Sequence, residues 1–176
     1  MTDPGLPDYE PVLDGVIKAV LPFEHPGFPV TLQQVRRQLL QLFELEADPR
    51  YQSLQRTLQF FDDIRLFAGP TVLTDPRRPD VAVGEAERRV SATVGHMEDQ
   101  RLFAEFCAIP GETRFAALPL SRQRGYFDLW RRSHFILKRE FYAGARAVVL
   151  LTAYSMPPVW SAIGYEGPLA ERQDRT

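Results

Sequence analysis

Between Ser121 and Tyr154 the aromatic and apolar positions step by three and four: Phe127, Trp130, His134, Leu137 and Phe141, continued by Ala145, Val148 and Thr152. An α-helix turns about every 3.6 residues and a strand alternates every two, so this spacing puts these residues on one side of helical structure. A helix with one apolar stripe needs other elements to cover it, and that demand shapes everything else the chain can do. One uninterrupted helix from 121 to 155 would be unusually long, so the pattern predicts a break near Ser133 or Gly144.

The rest of the chain repeats the helical signal between proline and glycine stops. Asp8 can cap a first helix whose stripe is Val12, Val16 and Val20, flanked by Leu13 and Ile17 and ended by Pro22. Pro22, Pro26, Gly27 and Pro29 then mark a loop up to Val30. Thr31 with Gln34 three residues on forms a capping box, opening a helix with Leu32, Val35, Leu39, Leu42 and Phe43 on one face. Asp48-Pro49 opens a third, with Tyr51, Leu54, Leu58, Phe61 and Ile64 on one face before Gly69-Pro70, and the two segments form an expected helical hairpin.

Residues 70–95 read as loop-rich. Up to Gly84 there are turn residues and short β-branched pieces with room for one short strand, and from Gly84 to Gly95 the text is polar and only weakly helical. Met97, Leu102, Phe103, Phe106 and Ile109 then give another helix, stopped at Pro110-Gly111, and Ser121 caps the long C-terminal segment. The expected fold is mostly α: a single irregular helical domain over residues 1–176, of five to seven helices with extended loops and an extended C-terminal segment. Residues 1–8 and 170–176 are read as frayed ends.

Composition narrows the function classes. The 176 residues are 44% hydrophobic and 25% charged, which suits one globular core. A net charge of −2 gives no global pull towards nucleic acid or anionic lipid. The charge is uneven. From Ser121 to Arg146 the basic residues Arg122, Arg124, Arg131, Arg132, Lys138, Arg139 and Arg146 outnumber the acidic Asp128 and Glu140. Cys107 is the only cysteine, so an intrachain disulfide and an all-cysteine metal site are excluded; within FAEFCAI it reads as a small buried apolar group. The longest uncharged apolar run is far short of the ~20 residues that span a bilayer. The start MTDPGLPDYEPVL has early acids and prolines rather than a basic-then-apolar order, so the expected location is cytoplasmic, or periplasmic if the chain is exported with a partner or is a mature form.

Catalytic motifs are missing. The chain has no G-x-S-x-G elbow, no phosphate-binding glycine loop, no H-E-x-x-H helix and no Glu-x-x-His pair of the kind that builds di-iron bundles. His25, His96 and His134 lie in unrelated contexts and read as structural. The neighbouring carboxylates Asp62-Asp63 and Glu98-Asp99 diverge around a helix and read as a solvated face. The run RQRGYFDLWRRSHFILKREFYAGAR could offer arginines to phosphates and rings to bases as a single-strand nucleic-acid module. Its helical spacing favours a core face flanked by arginines that meet an acidic partner.

Beyond Met156 the chain must turn, because Pro157-Pro158 cannot extend a helix. Val159, Trp160 and Ile163 make one further helical turn, closed by Gly164-Tyr165-Glu166-Gly167-Pro168. RFAALPLSRQRGYFDLWRRS, then REFYAGARAVVLLTAY, then S-x-P-x-V-W-x-x-I-GYEGP resembles the small-subunit family named after gluconate 2-dehydrogenase subunit 3. The likeness covers about residues 10 to 168 and is strongest from Arg114 to Pro168. It implies a helical, non-catalytic and cofactor-free subunit that clasps and stabilises a large FAD-dependent oxidoreductase of the glucose–methanol–choline type. Such complexes oxidise sugars or other alcohols, with a cytochrome c as electron acceptor in the wider assembly. The implied partner contacts are Tyr154, Met156, Pro157, Pro158, Trp160, Tyr165, Gly167 and Pro168, with no nucleic acid and no membrane span. The alternatives are a self-contained small-molecule binder or enzyme using Arg131, His134 and Tyr142, and the nucleic-acid module over residues 121 to 146.

Overall fold

The long C-terminal period breaks at Ser133. In the computed structural model, which describes residues 9–44, 58, 60–68, 85–106 and 112–166, two helices flank that point: α4, Leu120–Arg132, and α5, Ile136–Tyr154. Ser133 itself is extended (φ −57°, ψ 146°), and so is Phe135 before α5 (φ −78°, ψ 125°). Gly144 lies within α5 and causes no break.

The other helices are α1, Glu10–Val20; α2, Leu32–Glu44; α3, Glu85–Phe106; and α6, Pro157–Ala162. Residues 60–62 are also helical and lead through Asp63 into a tight 3-10 turn, Ile64–Phe67; a second such turn, Phe115–Ala117, precedes α4. The fold is a mostly helical single domain, and no strand occurs among the described residues. Asp63 and Arg114 form one isolated antiparallel bridge.

Local signals explain most element ends. The Thr31 amide donates to Gln34 Oε1 at 2.7 Å while the Gln34 amide donates to Thr31 Oγ1 at 3.3 Å. Those two bonds complete the capping box. α1 ends before Pro22, with Leu21 extended. α6 begins with Pro157 and Pro158 in its first turn, where a missing amide hydrogen costs nothing.

α4 is packed by α1 on one side and α5 on the other, and α2 closes against α1 and α5. Fully buried Phe61 is the hub of the core, with ring centroids 4.6 Å from Phe115, 4.9 Å from Trp130, 5.1 Å from Tyr126 and 5.2 Å from Phe141. These rings meet tilted or edge-on, the arrangements their quadrupoles favour. From α1 the core takes Val12, Leu13, Val16 and Ile17, and from α2 Val35 and Leu39.

Several expectations are corrected. Residues 85–95 are the first half of α3 rather than loop. That stretch has no clear apolar stripe of its own; helix propagates cheaply from the turns anchored at Asp99, Leu102 and Phe106, and propagation needs no stripe. Met97 is 63% exposed and is not a core residue. Pro119, not Ser121, stands at the N-cap of α4, and its carbonyl accepts from the amides of Arg122 (2.8 Å) and Gln123 (2.9 Å). The turn at Ser133 also re-phases the stripe, so that His134 is exposed while Lys138 is fully buried. The readings for Asp8, Asp48-Pro49, Gly69-Pro70, residues 70–84, Cys107, Ile109, Gly167 and Pro168, and both chain ends, lie outside the described residues.

Two helical glycines make opposite predictions. A Cβ on Gly15 would lie 2.6 Å from Cε1 of the fully buried Phe115, whereas a Cβ on Gly144 would meet nothing within 4 Å. Gly15→Ala is expected to destabilise the chain by about 1–3 kcal/mol through overpacking, despite alanine's better helix propensity. Gly144→Ala is expected to stabilise it by about 0.5–1 kcal/mol. Urea unfolding of the two variants checks both signs.

Candidate functional site

A fully buried ion pair lies beside the turn between α4 and α5. Asp99 and Lys138 are both 0% exposed, and Lys138 Nζ lies 2.5 Å from Asp99 Oδ2. The remaining capacity of the carboxylate is filled by Ser133 Oγ, at 2.8 and 3.0 Å from its two oxygens, and by the His134 amide at 3.1 Å. Lys138 Nζ also donates to the Phe67 carbonyl at 2.6 Å and sits 4.4 Å from the Phe67 ring centre. Asp99 is therefore not part of a solvated face. Adjacency to Glu98 says nothing of partners 34 to 39 positions away.

Asp62 is not part of a solvated face either. It is 8% exposed, accepts from Arg114 Nε at 2.7 Å and from the Ala116 amide at 2.9 Å, and so ties residues 60–67 to the turn before α4. Its neighbour Asp63 caps the 3-10 turn by accepting from the Arg65 amide at 3.1 Å.

Burial pushes the Lys138 ammonium below the ordinary lysine range, against the raising pull of its hydrogen bond and charge contact with Asp99. An unfolded lysine then keeps its proton to higher pH than the folded one. The contribution of Lys138 to stability is thus least below its folded pKa and grows as pH rises from there to the ordinary lysine value. Both side chains are closed off from solvent, and their bonds tie α3, the turn after α4, α5 and Phe67 together.

The basic excess of residues 121–146 is largely engaged within the chain. The Arg122 guanidinium lies 4.1 Å from the centre of the Phe106 ring and donates to the Phe106 carbonyl at the end of α3. Arg124 pairs with Glu24 at 2.6 Å and reaches the Lys18 carbonyl at the end of α1. Arg139 donates to the carbonyls of Ser133 (2.7 Å) and His134 (2.6 Å), just beyond α4. Three helix C-termini, where carbonyls lack partners and the helix dipole is negative, each receive an arginine. With Arg131 on Asp128 at 2.6 Å and Lys138 buried, Arg132 and Arg146 are left without an ion-pair partner among the described residues. The excess is mainly structural glue rather than an open basic face.

The C-terminal residues are held locally. Gly164 adopts φ 71°. This is the left-handed conformation that commonly ends a helix. The Tyr165 amide donates to the Trp160 carbonyl at 2.8 Å and the Gly164 amide to the Ser161 carbonyl at 3.3 Å. Together the two bonds make a Schellman stop. Trp160 and Tyr165 have ring centroids 5.9 Å apart, edge to face. They occupy the positions whose side chains meet in such a stop. Trp160 Nε1 also donates to the Tyr154 carbonyl at the end of α5, at 2.5 Å. Val159 is buried and Met156 and Trp160 are half-buried, while Pro157, Pro158, Tyr154, Ile163 and Tyr165 are exposed.

The alternative constellations are not assembled. Arg131 is bound to Asp128, Tyr142 packs against Phe127 with tilted rings and centroids 4.6 Å apart, and His134 packs over Gly95. His134 does line a surface depression with Glu98, Arg101 and Arg132, without Arg131 or Tyr142. Tyr126, Phe127 and Trp130 are core residues, so the base-stacking platform required by the nucleic-acid reading is buried. Among the described residues no three His, Cys, Asp or Glu side chains converge as a metal-holding group, and no helix is long and apolar enough to cross a membrane. An apolar groove of about 290 Å³ opens between α1, α2 and α5, with Leu13, Val16, Leu39, Leu58 and Val148 in its wall.

Comparison with protein families, with curated proteins and with solved structures finds no match for this chain.

Removing one partner of the buried pair tests the joint. Lys138→Met leaves an uncompensated carboxylate and is expected to cost about 3–5 kcal/mol, whereas Asp99→Leu/Lys138→Met, which removes both charges, is expected to cost much less than the two single changes summed. A double-mutant cycle by urea unfolding measures this; strict additivity would contradict the pairing.

Proposed function

We propose that the chain is a non-catalytic partner subunit that binds and stabilises a large FAD-dependent oxidoreductase of the glucose–methanol–choline type acting on a sugar or other alcohol. In this reading hydride transfer takes place at the partner's flavin, and a cytochrome c takes the electrons onward. The observation that carries it is the exposed C-terminal cluster, with Tyr154 52%, Ile163 59% and Tyr165 45% exposed beside two exposed prolines. Aromatic side chains are enriched at protein interfaces, and those already fixed by local structure lose little entropy on docking. Tyr165 is fixed by the Schellman stop and Trp160 by its bond to the Tyr154 carbonyl. The contact set is Tyr154, Met156, Pro157, Pro158, Trp160 and Tyr165, continued by Gly167 and Pro168.

Co-expression with the flavoprotein encoded beside this chain tests the proposal. Affinity capture of the chain is expected to recover the large subunit with bound FAD, read by flavin absorbance. The variant Tyr154→Ala, at an exposed side chain outside the Schellman contacts, is expected to cut recovery by about thirtyfold, the effect of losing about 2 kcal/mol at a hot spot, with an unchanged melting temperature. A flavoprotein that is equally soluble and FAD-loaded without this chain, and never co-elutes with it, would sink the reading.

A further inference from the structure

From Ala147 onward, α5 carries no charged side chain on any face. Val149, Thr152 and Ala153 face the core, while Ala147, Val148, Leu151 and Tyr154 face solvent; Leu151 is 70% exposed. The Thr152 hydroxyl donates to the Val148 carbonyl at 2.8 Å. A helix without a polar face is ordinarily covered all round. Single exposed apolar residues are common. This stripe is longer: it begins at Ala143 and Gly144, runs for three turns, and shares Gly144 and Val148 with the apolar groove along one edge.

Gly144 is a second, independent sign. A glycine inside a helix costs stability. This one has no contact within 4 Å that alanine would disturb, so the isolated fold gives no reason for it. Small residues on a helix surface let another backbone approach closely.

Charge identifies the occupant. Arg139 and Arg146, seven residues and so about two turns apart, lie along the edge opposite the groove, and the exposed Glu140 bounds the apolar stripe at its N-terminal end. Neither forms an ion pair with a carboxylate among the described residues; Arg139 meets only carbonyls. A two-fold axis laying this face antiparallel on a second copy brings the two arginine edges to the same side, like charge against like. A segment bearing carboxylates on that side is complementary instead.

We propose that the outer face of α5 and the adjoining groove receive an amphipathic helix of the partner protein, its apolar side in the groove and its acidic edge along Arg139 and Arg146. The proposal rests on the reading of the chain as a docking subunit and specifies the chemistry of the docked element.

Two synthetic helical peptides, with leucines at i, i+3, i+4 and i+7 and either glutamates or lysines along one flank, serve as probes for the full chain by fluorescence anisotropy. The glutamate peptide is expected to bind at least about tenfold tighter than the lysine peptide, and Arg146→Glu to reverse the order. Ala147→Glu, at an exposed position, is expected to weaken both at least about tenfold without lowering the melting temperature. Equal affinities, no binding of either peptide, or a homodimer of the chain that Ala147→Glu dissociates would each overturn the proposal. No flavoprotein enters this assay, so its failure leaves the co-purification result standing, and a failed co-purification leaves the peptide result intact.

Discussion

A charge taken out of water costs several kcal/mol unless its surroundings replace the lost hydration, and this chain buries two of them together. Asp99 and Lys138 can be sequestered only if Ser133, the His134 amide and the Phe67 carbonyl arrive at the same point. Those groups come from the middle of α3, the turn after α4, the start of α5 and the 3-10 turn at residues 64–67. The pair therefore specifies how four parts of the chain meet, where apolar packing alone would tolerate small slips. It also sets the rotation of α5. With Lys138 inward, Val149, Thr152 and Ala153 follow it into the core, and the opposite arc, Ala147 to Tyr154, is turned to solvent.

The arginines finish what the buried pair begins. Helix ends are costly to pack against one another because their carbonyls lack partners. Here the guanidinium groups of Arg122, Arg124 and Arg139 bond the carbonyls at or just beyond the ends of α3, α1 and α4. Each arginine joins an end to a helix distant or adjacent in sequence, so a cluster that looks like a binding face in the linear text is mostly consumed in assembly. Arg132 and Arg146, without ion-pair partners among the described residues, are what the run leaves as surface charge.

How much of this was legible follows from the range of each interaction. The capping box of Thr31 and Gln34, the stop before Pro22 and the start of α6 at Pro157 are decided by residues within a few positions of one another, and the text carries them; for the break it offered Ser133 and Gly144 alike, and Ser133 is held by Asp99, 34 positions away. The first half of α3 has no stripe to announce it, and its helicity follows from anchors further along. Burial of Lys138 and Asp99 was illegible for a stronger reason. A lysine among arginines and an aspartate beside a glutamate carry the surface signature, and only a partner 39 residues away reverses it. The one local clue was the phase of α5. Shifted by the break, its inward positions pass through Lys138 rather than Leu137, which is only half-buried.

The C-terminal residues divide into those the fold itself explains and those it does not. Gly164 is needed for the left-handed stop, Trp160 and Tyr165 meet as the side chains of such a stop do, and Val159 fills the core. A chain needing only to terminate α6 would use these residues with no partner in view. Leu151, Tyr154 and Ile163 are different: they are large and apolar or aromatic, more than half exposed, and outside the stop's own contacts. Exposure of such groups raises the free energy of the chain in water by about 25 cal/mol for each Å² of apolar surface left uncovered. Because α5 is rotated by the buried pair, Leu151 and Tyr154 cannot turn inward without uncovering Lys138 and Asp99. The same constraint that secures the core thus holds an apolar face outward.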